Sequence, residues 1–132
     1  MEIRQIGGLG VCATNCYVVI SEKGNAVLID APEGKEEILS AIGNATLKKI
    51  ILTHGHFDHI GGALALKEKT NTKIAIGEKE NFALSDASFN LSDRFRAHLK
   101  PFNADILFKD NEEFSVADLK FNQEQTILSK YY

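Results

Sequence analysis

The pattern of hydrophobic and polar positions predicts short strands at the start of the chain, then alternating helices and strands, then strands again. Two stretches place apolar residues at helical spacing: residues 34–43, which end in Gly43, and residues 60–70. The mixture predicts an α/β fold with a mixed sheet flanked by helices. The predicted strands cover residues 2–6, 15–22, 26–30, 48–53, 73–77, 105–109, 112–116 and 118–121.

Several connecting stretches carry predictions of their own. Lys-Gly-Asn at 23–25 favours a hairpin turn, and the glycines at 7–10 favour a loop. The uniformly apolar centre of 48–53 predicts burial on both faces of the sheet. One or two helical turns are predicted at 78–84, and a further helical piece at 91–99.

Length and composition suit one soluble globular domain. The chain has 132 residues, of which 44% are hydrophobic and 25% charged. A net charge of −3 argues against nucleic acid as a partner, because phosphate binding needs clustered Lys and Arg. The apolar runs are too short to cross a membrane, and "MEIRQIGG" does not have the pattern of a signal peptide. The predicted location is therefore the cytoplasm.

The two cysteines, Cys12 and Cys16, are spaced like half of a zinc site, but the chain has no second pair. A cytoplasmic protein seldom carries a structural disulfide. We therefore predict a buried strand thiol at Cys16 and a loop thiol at Cys12.

The segment "ILTHGHFDHIGG" (51–62) concentrates three histidines and an aspartate directly after an aliphatic run. His54, His56, Asp58 and His59 offer imidazole nitrogen and carboxylate oxygen, the ligands of zinc, iron or manganese sites. The alternative is a helix N-terminus that Asp58 caps, with the histidines exposed. The pattern favours a metal site.

Glycines surround these candidate ligands. We expect Gly55 to leave room for a water beside the ligands, because it adds no side-chain bulk. Gly61 and Gly62 would let the backbone turn tightly into the next helix.

The motif "THGHFDHIGG" resembles the T-H-x-H-x-D-H signature of the metallo-β-lactamase superfamily. Residues 13–19 and 26–39 resemble the first strands of its glyoxalase II-like (hydroxyacylglutathione hydrolase-like) branch, and residues 84–95 and 104–121 also resemble that branch. The resemblance covers residues 1–121.

The resemblance implies a four-layer αββα sandwich, of which this chain would form the N-terminal half. It implies that His54 and His56 bind a first metal, and Asp58 and His59 a second. Zinc is the expected metal, one or two per site, with iron and manganese as alternatives. A bridging hydroxide would attack a thioester, ester or lactam, and Asp58 would act as the catalytic residue that orients it.

The resemblance also matches Asp30, at the end of its strand, to the family's buried aspartate. It would hold the metal loop or a ligand histidine by hydrogen bonds. The alternative is a plain carboxylate at the end of a strand.

The chain departs from the branch after residue 121. Members of the branch normally continue with a G-H-T-like turn, a Gly-Asp pair and a last histidine, and none of these follows here. His98 stands in another context and is predicted to be an exposed surface residue. We therefore expect a partial domain at 1–121 and an atypical tail at 122–132, produced by a frameshift or by cutting of the chain.

Three functions remain open at this point. The first is a metal-dependent hydrolase of a small-molecule substrate, impaired by the missing ligands. The second is a degenerate domain that binds a metal or a partner without catalysis, and the third is one part of a split enzyme. We also expect the half-sandwich to expose an apolar face and to form a homo-oligomer through it.

Overall fold

The computed structural model describes residues 1–10, 12–94, 99–109 and 112–122. Within these residues, a mixed sheet of six strands is accompanied by a separate two-stranded hairpin. The strands are β1 (Glu2–Leu9), β2 (Thr14–Ile20), β3 (Asn25–Ile29), β4 (Thr46–Leu52), β5 (Ile74–Gly77), β6 (Ile106–Phe108), β7 (Glu113–Val116) and β8 (Leu119–Asn122). The helices are α1 (Lys35–Ile42), α2 (Phe57–Ile60) and α3 (Ala63–Thr70), followed by a 3₁₀ helix (Glu78–Ser85).

The strands of the main sheet lie in sequence order, β1-β2-β3-β4-β5-β6. The first three are antiparallel, and the hairpin predicted at 23–25 joins β2 to β3. From β3 onward the strands are parallel, because α1 and α3 carry the chain back before β4 and β5. The predicted α/β class and mixed sheet are confirmed.

The loop predicted at 7–10 is wrong for most of its length. Strand β1 continues to Leu9, and its pairing with β2 shifts register between Ile6 and Leu9. Gly8 has a φ of 70°, a conformation that glycine adopts without strain. The two glycines therefore form an irregularity inside the strand, after which Leu9 is buried.

The helix predicted at 34–43 is confirmed as α1, and the turns predicted at 78–84 form the 3₁₀ helix. The helix predicted at 60–70 begins only at Ala63, as α3, and Ile60 belongs to the separate short helix α2, which ends before the two glycines. Of the piece predicted at 91–99, the described residues up to 94 form bends and turns, and residues 95–98 lie outside the described part. His98 is one of these residues outside the described part.

The main sheet buries apolar side chains on both faces. One face packs against the helices through a cluster that includes Leu28, Ile38 and Leu66. The centre of β4 is buried on both faces, as predicted, because Ile50 and Leu52 belong to that cluster and Ile51 to the opposite one.

The second face is not left open as expected. Val27, Ile51 and Ala75 on this face are at most 3% exposed, because they pack with Val116 and Leu119 of the β7–β8 hairpin. This face was expected to be exposed because the chain forms only the N-terminal half of the sandwich. The hairpin therefore supplies the start of a second layer.

No helix within the described residues is long and apolar enough to cross a membrane. The tail predicted at 122–132 lies outside the described residues except for Asn122, which ends β8.

Asp105, just before β6, forms hydrogen bonds with residues of α3 and β5 and so connects these three elements. Its carboxylate accepts hydrogen bonds from the Ile74 backbone N–H at 2.8 Å and from the Lys67 ammonium at 2.7 and 2.8 Å. Burial raises the pKa of Asp105, but the bonds from Ile74 and Lys67 outweigh that effect, so the net shift is downward from 3.8.

We predict that Asp105→Ala lowers the free energy of unfolding by about 1–3 kcal/mol, because the buried N–H of Ile74 loses its acceptor. Since the folded chain holds the carboxylate ionised, this contribution is present above pH 3.8 and is lost as the pH falls through the lower folded-state pKa. Urea unfolding at pH 7 and pH 3 measures both effects. Glu68→Gln, an exposed carboxylate on α3, is the control.

Candidate metal centre

His54 and His56 lie on the loop that leaves the carboxyl end of β4, and Asp58 and His59 lie on α2, which follows directly. Backbone hydrogen bonds fix this loop against the end of β3. Ala31 N–H donates to the His59 carbonyl at 2.9 Å, and Gly62 N–H donates to the Ala31 carbonyl at 2.7 Å. A Cβ at Gly62 would overlap the carbonyl oxygen of Pro32, so only glycine allows this approach. The tight passage of the backbone into the next helix is confirmed at Gly62, as a close contact with the Pro32 backbone.

Asp30 is the centre of the hydrogen bonding beneath the loop. Its side chain is fully buried and its φ is 66°, a backbone conformation that Asp tolerates better than most residues. The carboxylate accepts from the Thr53 backbone N–H at 2.8 Å and from the Thr53 hydroxyl at 2.9 and 2.7 Å. It also lies 2.9 Å from Nδ1 of His59. A single carboxylate thus contacts both the loop backbone and a candidate ligand.

This hydrogen bonding defines which nitrogen of each neutral histidine carries its proton. A carboxylate only accepts, so His59 donates from Nδ1 and the Thr53 hydroxyl donates its one proton to Asp30. The Thr53 oxygen, 3.0 Å from Nδ1 of His54, must then accept from that nitrogen. In the neutral form of either ring the lone pair therefore lies on Nε2, and this is the form that binds metal.

The three imidazoles are neighbours. The ring centre of His54 lies 4.8 Å from that of His56 and 4.0 Å from that of His59. His54 and His59 are 8% and 3% exposed, whereas His56 is exposed. The structure therefore brings all three predicted histidines together at the end of β4.

Asp58 completes the predicted set. Its Oδ2 lies 3.3 Å from Nε2 of His59 and accepts a hydrogen bond from the Thr14 hydroxyl at 2.9 Å. The N-cap position of α2 is His56, and no side-chain hydrogen bond caps the helix. The alternative of a capping Asp58 with exposed histidines is therefore wrong for Asp58, His54 and His59.

Gly55 has a different role from the one expected. A Cβ there would overlap the Cβ of Ala83, so the space beside Gly55 is filled by the 3₁₀ helix rather than left for a water. Glu80 of the same helix accepts a hydrogen bond from the Gly55 N–H at 3.4 Å. The glycine is needed because the loop packs closely on this helix.

His54 has a strongly perturbed pKa. Burial, together with the neighbouring His59, lowers the pKa of His54 from 6.5 to about 4. At neutral pH the ring is therefore uncharged, in agreement with a nitrogen that offers its lone pair.

We predict that His54 stays neutral down to about pH 4 in the metal-free chain. An unfolded chain takes up this proton near pH 6.5, so the folded chain loses stability as the pH falls from 6.5 to about 4. Two-dimensional NMR of the imidazole nitrogens measures the protonation directly, with His54→Gln used to assign the signal. A midpoint near 6.5 would contradict the prediction.

The donor chemistry fits a metal in part. Two ligands of a tetrahedral zinc lie about 3.4 Å apart when each bond is about 2.1 Å, and Asp58 Oδ2 and His59 Nε2 are 3.3 Å apart. However, within the part of the chain that the structure describes, no group of three or more His, Cys, Asp or Glu side chains is arranged to hold an ion. The described residues thus provide a fitting pair of donors and a close third ring, but no complete site.

The cysteines lie as predicted. Cys16 is buried on β2 and Cys12 is exposed in the loop before it, and both are free. Burial raises the pKa of Cys16 to about 12, so this thiol is not a candidate nucleophile.

Sequence reasoning missed two threonines of the site. Thr53 was treated as the end of a strand and the first residue of the motif, with no role of its own, and Thr14 only as part of a resembling segment. The threonine before the histidines, next to a buried strand end, was a signal for Thr53. No signal in the sequence pointed from Thr14 to Asp58, because 44 positions separate them.

The fold and the histidine motif indicate one class of protein, the metallo-β-lactamase superfamily, and the comparison with known families agrees with this assignment. Residues 9–126 match the model of the metallo-beta-lactamase superfamily. The chain belongs to this superfamily, which confirms the resemblance found in the motif.

The alignments with curated relatives cover most of this chain but only about half of each relative. Hydroxyacylglutathione hydrolase GloC of Haemophilus influenzae is 30% identical over 116 residues, which are 86% of this chain and 49% of the relative. The probable metallo-hydrolase YqgX of Bacillus subtilis is 31% identical over 82% of this chain and 52% of its own length. The chain spans about half the length of these relatives.

Solved structures show the same relation. The B3 metallo-beta-lactamase BLEG-1 superposes with a TM-score of 0.83 at 27% identity, over 92% of this chain and 59% of its own. ETHE1 from Myxococcus xanthus gives a TM-score of 0.66 at 25% identity, over 92% of this chain and 47% of its own. The fold is therefore that of the metallo-beta-lactamases, of which this chain spans about half.

Proposed function

We propose that this chain contributes the first metal ligands of a metal-dependent hydrolase, with zinc as the metal. One observation carries the proposal: Asp30 orients His59 directly and His54 through Thr53, so that each presents the lone pair of Nε2. Orientation of ligand histidines by a buried carboxylate is a recurring feature of protein metal sites.

Four residues of the loop and of α2 would hold the metal: His54 and His56 for a first ion, Asp58 and His59 for a second. A bound zinc would make water nucleophilic at neutral pH and polarise a substrate carbonyl. Asp30 and Thr53 keep the imidazoles in their binding tautomers, and burial keeps His54 uncharged. Asp58, whose side chain is 22% exposed, is open to solvent and would orient the attacking water.

We further propose a small-molecule thioester as the substrate. The support is the name of a relative that is 30% identical, a hydroxyacylglutathione hydrolase. The BLEG-1 structure, at 27% identity, carries the name of a lactamase. A lactam is therefore the substrate against which a thioester must be tested.

Zinc retention and turnover test this proposal together. The purified chain is loaded with zinc, desalted and analysed by elemental mass spectrometry, then assayed with a hydroxyacylglutathione thioester and a lactam. We expect bound zinc and chelator-sensitive thioester hydrolysis, with less zinc retained and hydrolysis reduced in His56→Ala, an exposed position where folding is not at risk. Asp93→Asn, also exposed, is the control. A chain without zinc would contradict the proposal.

A second candidate function has its own support, because the described residues hold no group of three ligands. In this candidate the chain binds metal without turnover, or is completed by ligands from another polypeptide, including a second copy. Native mass spectrometry separates the cases: zinc on a monomer without hydrolysis supports a non-catalytic domain. Zinc found only on a dimer supports a shared site.

A further inference from the structure

Thr14 joins the first hairpin of the chain to the candidate metal loop. It is the first residue of β2 and pairs with Leu9 of β1, so its backbone is fixed in the sheet. The residue is 6% exposed, and its hydroxyl lies 2.9 Å from Oδ2 of Asp58. Because threonine is branched at Cβ, the hydroxyl has few directions open to it.

Asp58 depends more than the other candidate ligands on a hydrogen-bond partner that fixes its side chain. It lies in a helix of four residues that has no side-chain cap, and its side chain is 22% exposed. Asp30 forms a hydrogen bond with His59, and Thr53 forms one with His54. In the described hydrogen bonding, neither Asp30 nor Thr53 contacts Asp58. A partly exposed carboxylate on so short a helix loses rotamer freedom when it binds an ion, and a partner that orders it beforehand reduces that loss.

The direction of the Thr14 bond also suits metal binding. An ionised carboxylate only accepts, so the threonine donates its proton to Oδ2. The same oxygen is the one that lies 3.3 Å from Nε2 of His59. The hydroxyl thus fixes the carboxylate oxygen that would share an ion with His59.

We propose that Thr14 is a positioning residue that orders Asp58 for metal binding. The inference rests on the proposed function, since it assigns to Asp58 the role of a ligand. The variant Thr14→Val removes the hydroxyl and keeps the branched shape, and Thr14→Ser keeps the hydroxyl.

Zinc affinity is measured for the three chains by competition against a chromophoric chelator. We expect Thr14→Val to bind zinc about 10–100-fold more weakly, the usual effect of removing a group that orients a ligand. Thr14→Ser should stay within a few-fold of the unsubstituted chain. Equal affinities in Thr14→Val and the unsubstituted chain would overturn the inference.

A second measurement needs no metal and separates positioning from general packing. The unfolding midpoints of the metal-free chain, Thr14→Val, Asp58→Ala and the double variant form a thermodynamic cycle. We expect Thr14→Val to lower the midpoint only while Asp58 is present, whereas a loss of equal size in both backgrounds would overturn the inference. If no chain retains zinc, the proposed function fails, and this cycle alone decides whether Thr14 orders Asp58.

Discussion

Asp30→Asn lowers both the stability of the chain and its affinity for zinc. The amide presents an NH₂ group where the carboxylate accepted from the Thr53 hydroxyl and from Nδ1 of His59. An NH₂ group in place of Oδ1 faces the Thr53 backbone N–H, and one in place of Oδ2 forces Nδ1 of His59 to give up its proton. Either change in a fully buried place costs about 1–3 kcal/mol of the free energy of unfolding. Because asparagine also tolerates a φ of 66°, the substitution adds no backbone strain.

The effect on zinc follows from the tautomer. An amide N–H directed at Nδ1 of His59 favours the ring that carries its proton on Nε2, so the lone pair is lost from the side that faces Asp58. We expect zinc affinity to fall by about 10–100-fold. Chemical unfolding and chelator competition measure the two effects, and Asp93→Asn serves as the matched control. A variant with unchanged stability and affinity would contradict the role given to Asp30.

Gly62→Ala separates the metal loop from the end of β3. The added methyl group overlaps the Pro32 carbonyl, which is backbone and has no rotamer into which it could move. Overpacking of this kind costs about 1–3 kcal/mol. The backbone of Gly62 has a φ of −100°, which alanine adopts without difficulty, so the loss is steric.

The neighbouring glycine provides the control for this prediction. A Cβ at Gly61 would lie 3.2 Å from the Phe57 carbonyl oxygen and 3.3 Å from a carbon of the Glu33 side chain, and the latter is able to move. Thermal unfolding of Gly61→Ala and Gly62→Ala should therefore show a clearly larger loss for Gly62→Ala. Zinc affinity should fall in the same order, because the Gly62 N–H helps to hold His59 through Ala31. Equal midpoints would show that the loop tolerates separation from β3.

The sequence predicted what depends on local pattern. Periodicity placed most strands and α1, and the motif from Thr53 to His59 predicted residues that the structure brings together. Asp30 could be proposed as a partner because the resemblance matched it to a buried position. The roles of these residues as metal ligands stay predictions, as do the proposed domain boundary, the homo-oligomer and the cytoplasmic location.

Other features depend on packing between distant segments. The sequence predicted that Gly55 leaves room for a water beside the ligands, but Ala83 fills that space. Only the fold brings the two residues together. The burial of Ile51 and Ala75 in one cluster with Leu119 depends on where the β7–β8 hairpin packs against the sheet. The bond between Thr14 and Asp58 arises because β2 and α2 meet, which no periodicity in either segment indicates.

The order of the strands has a consequence for how the chain is made. Each strand of the main sheet pairs with the strand synthesised just before it, so no strand has to wait for a distant one to leave the ribosome. Asp30, Thr53 and His59 all belong to the first half of the chain. The hydrogen bonds that orient the histidines are therefore able to form during translation, before the β7–β8 hairpin has been added.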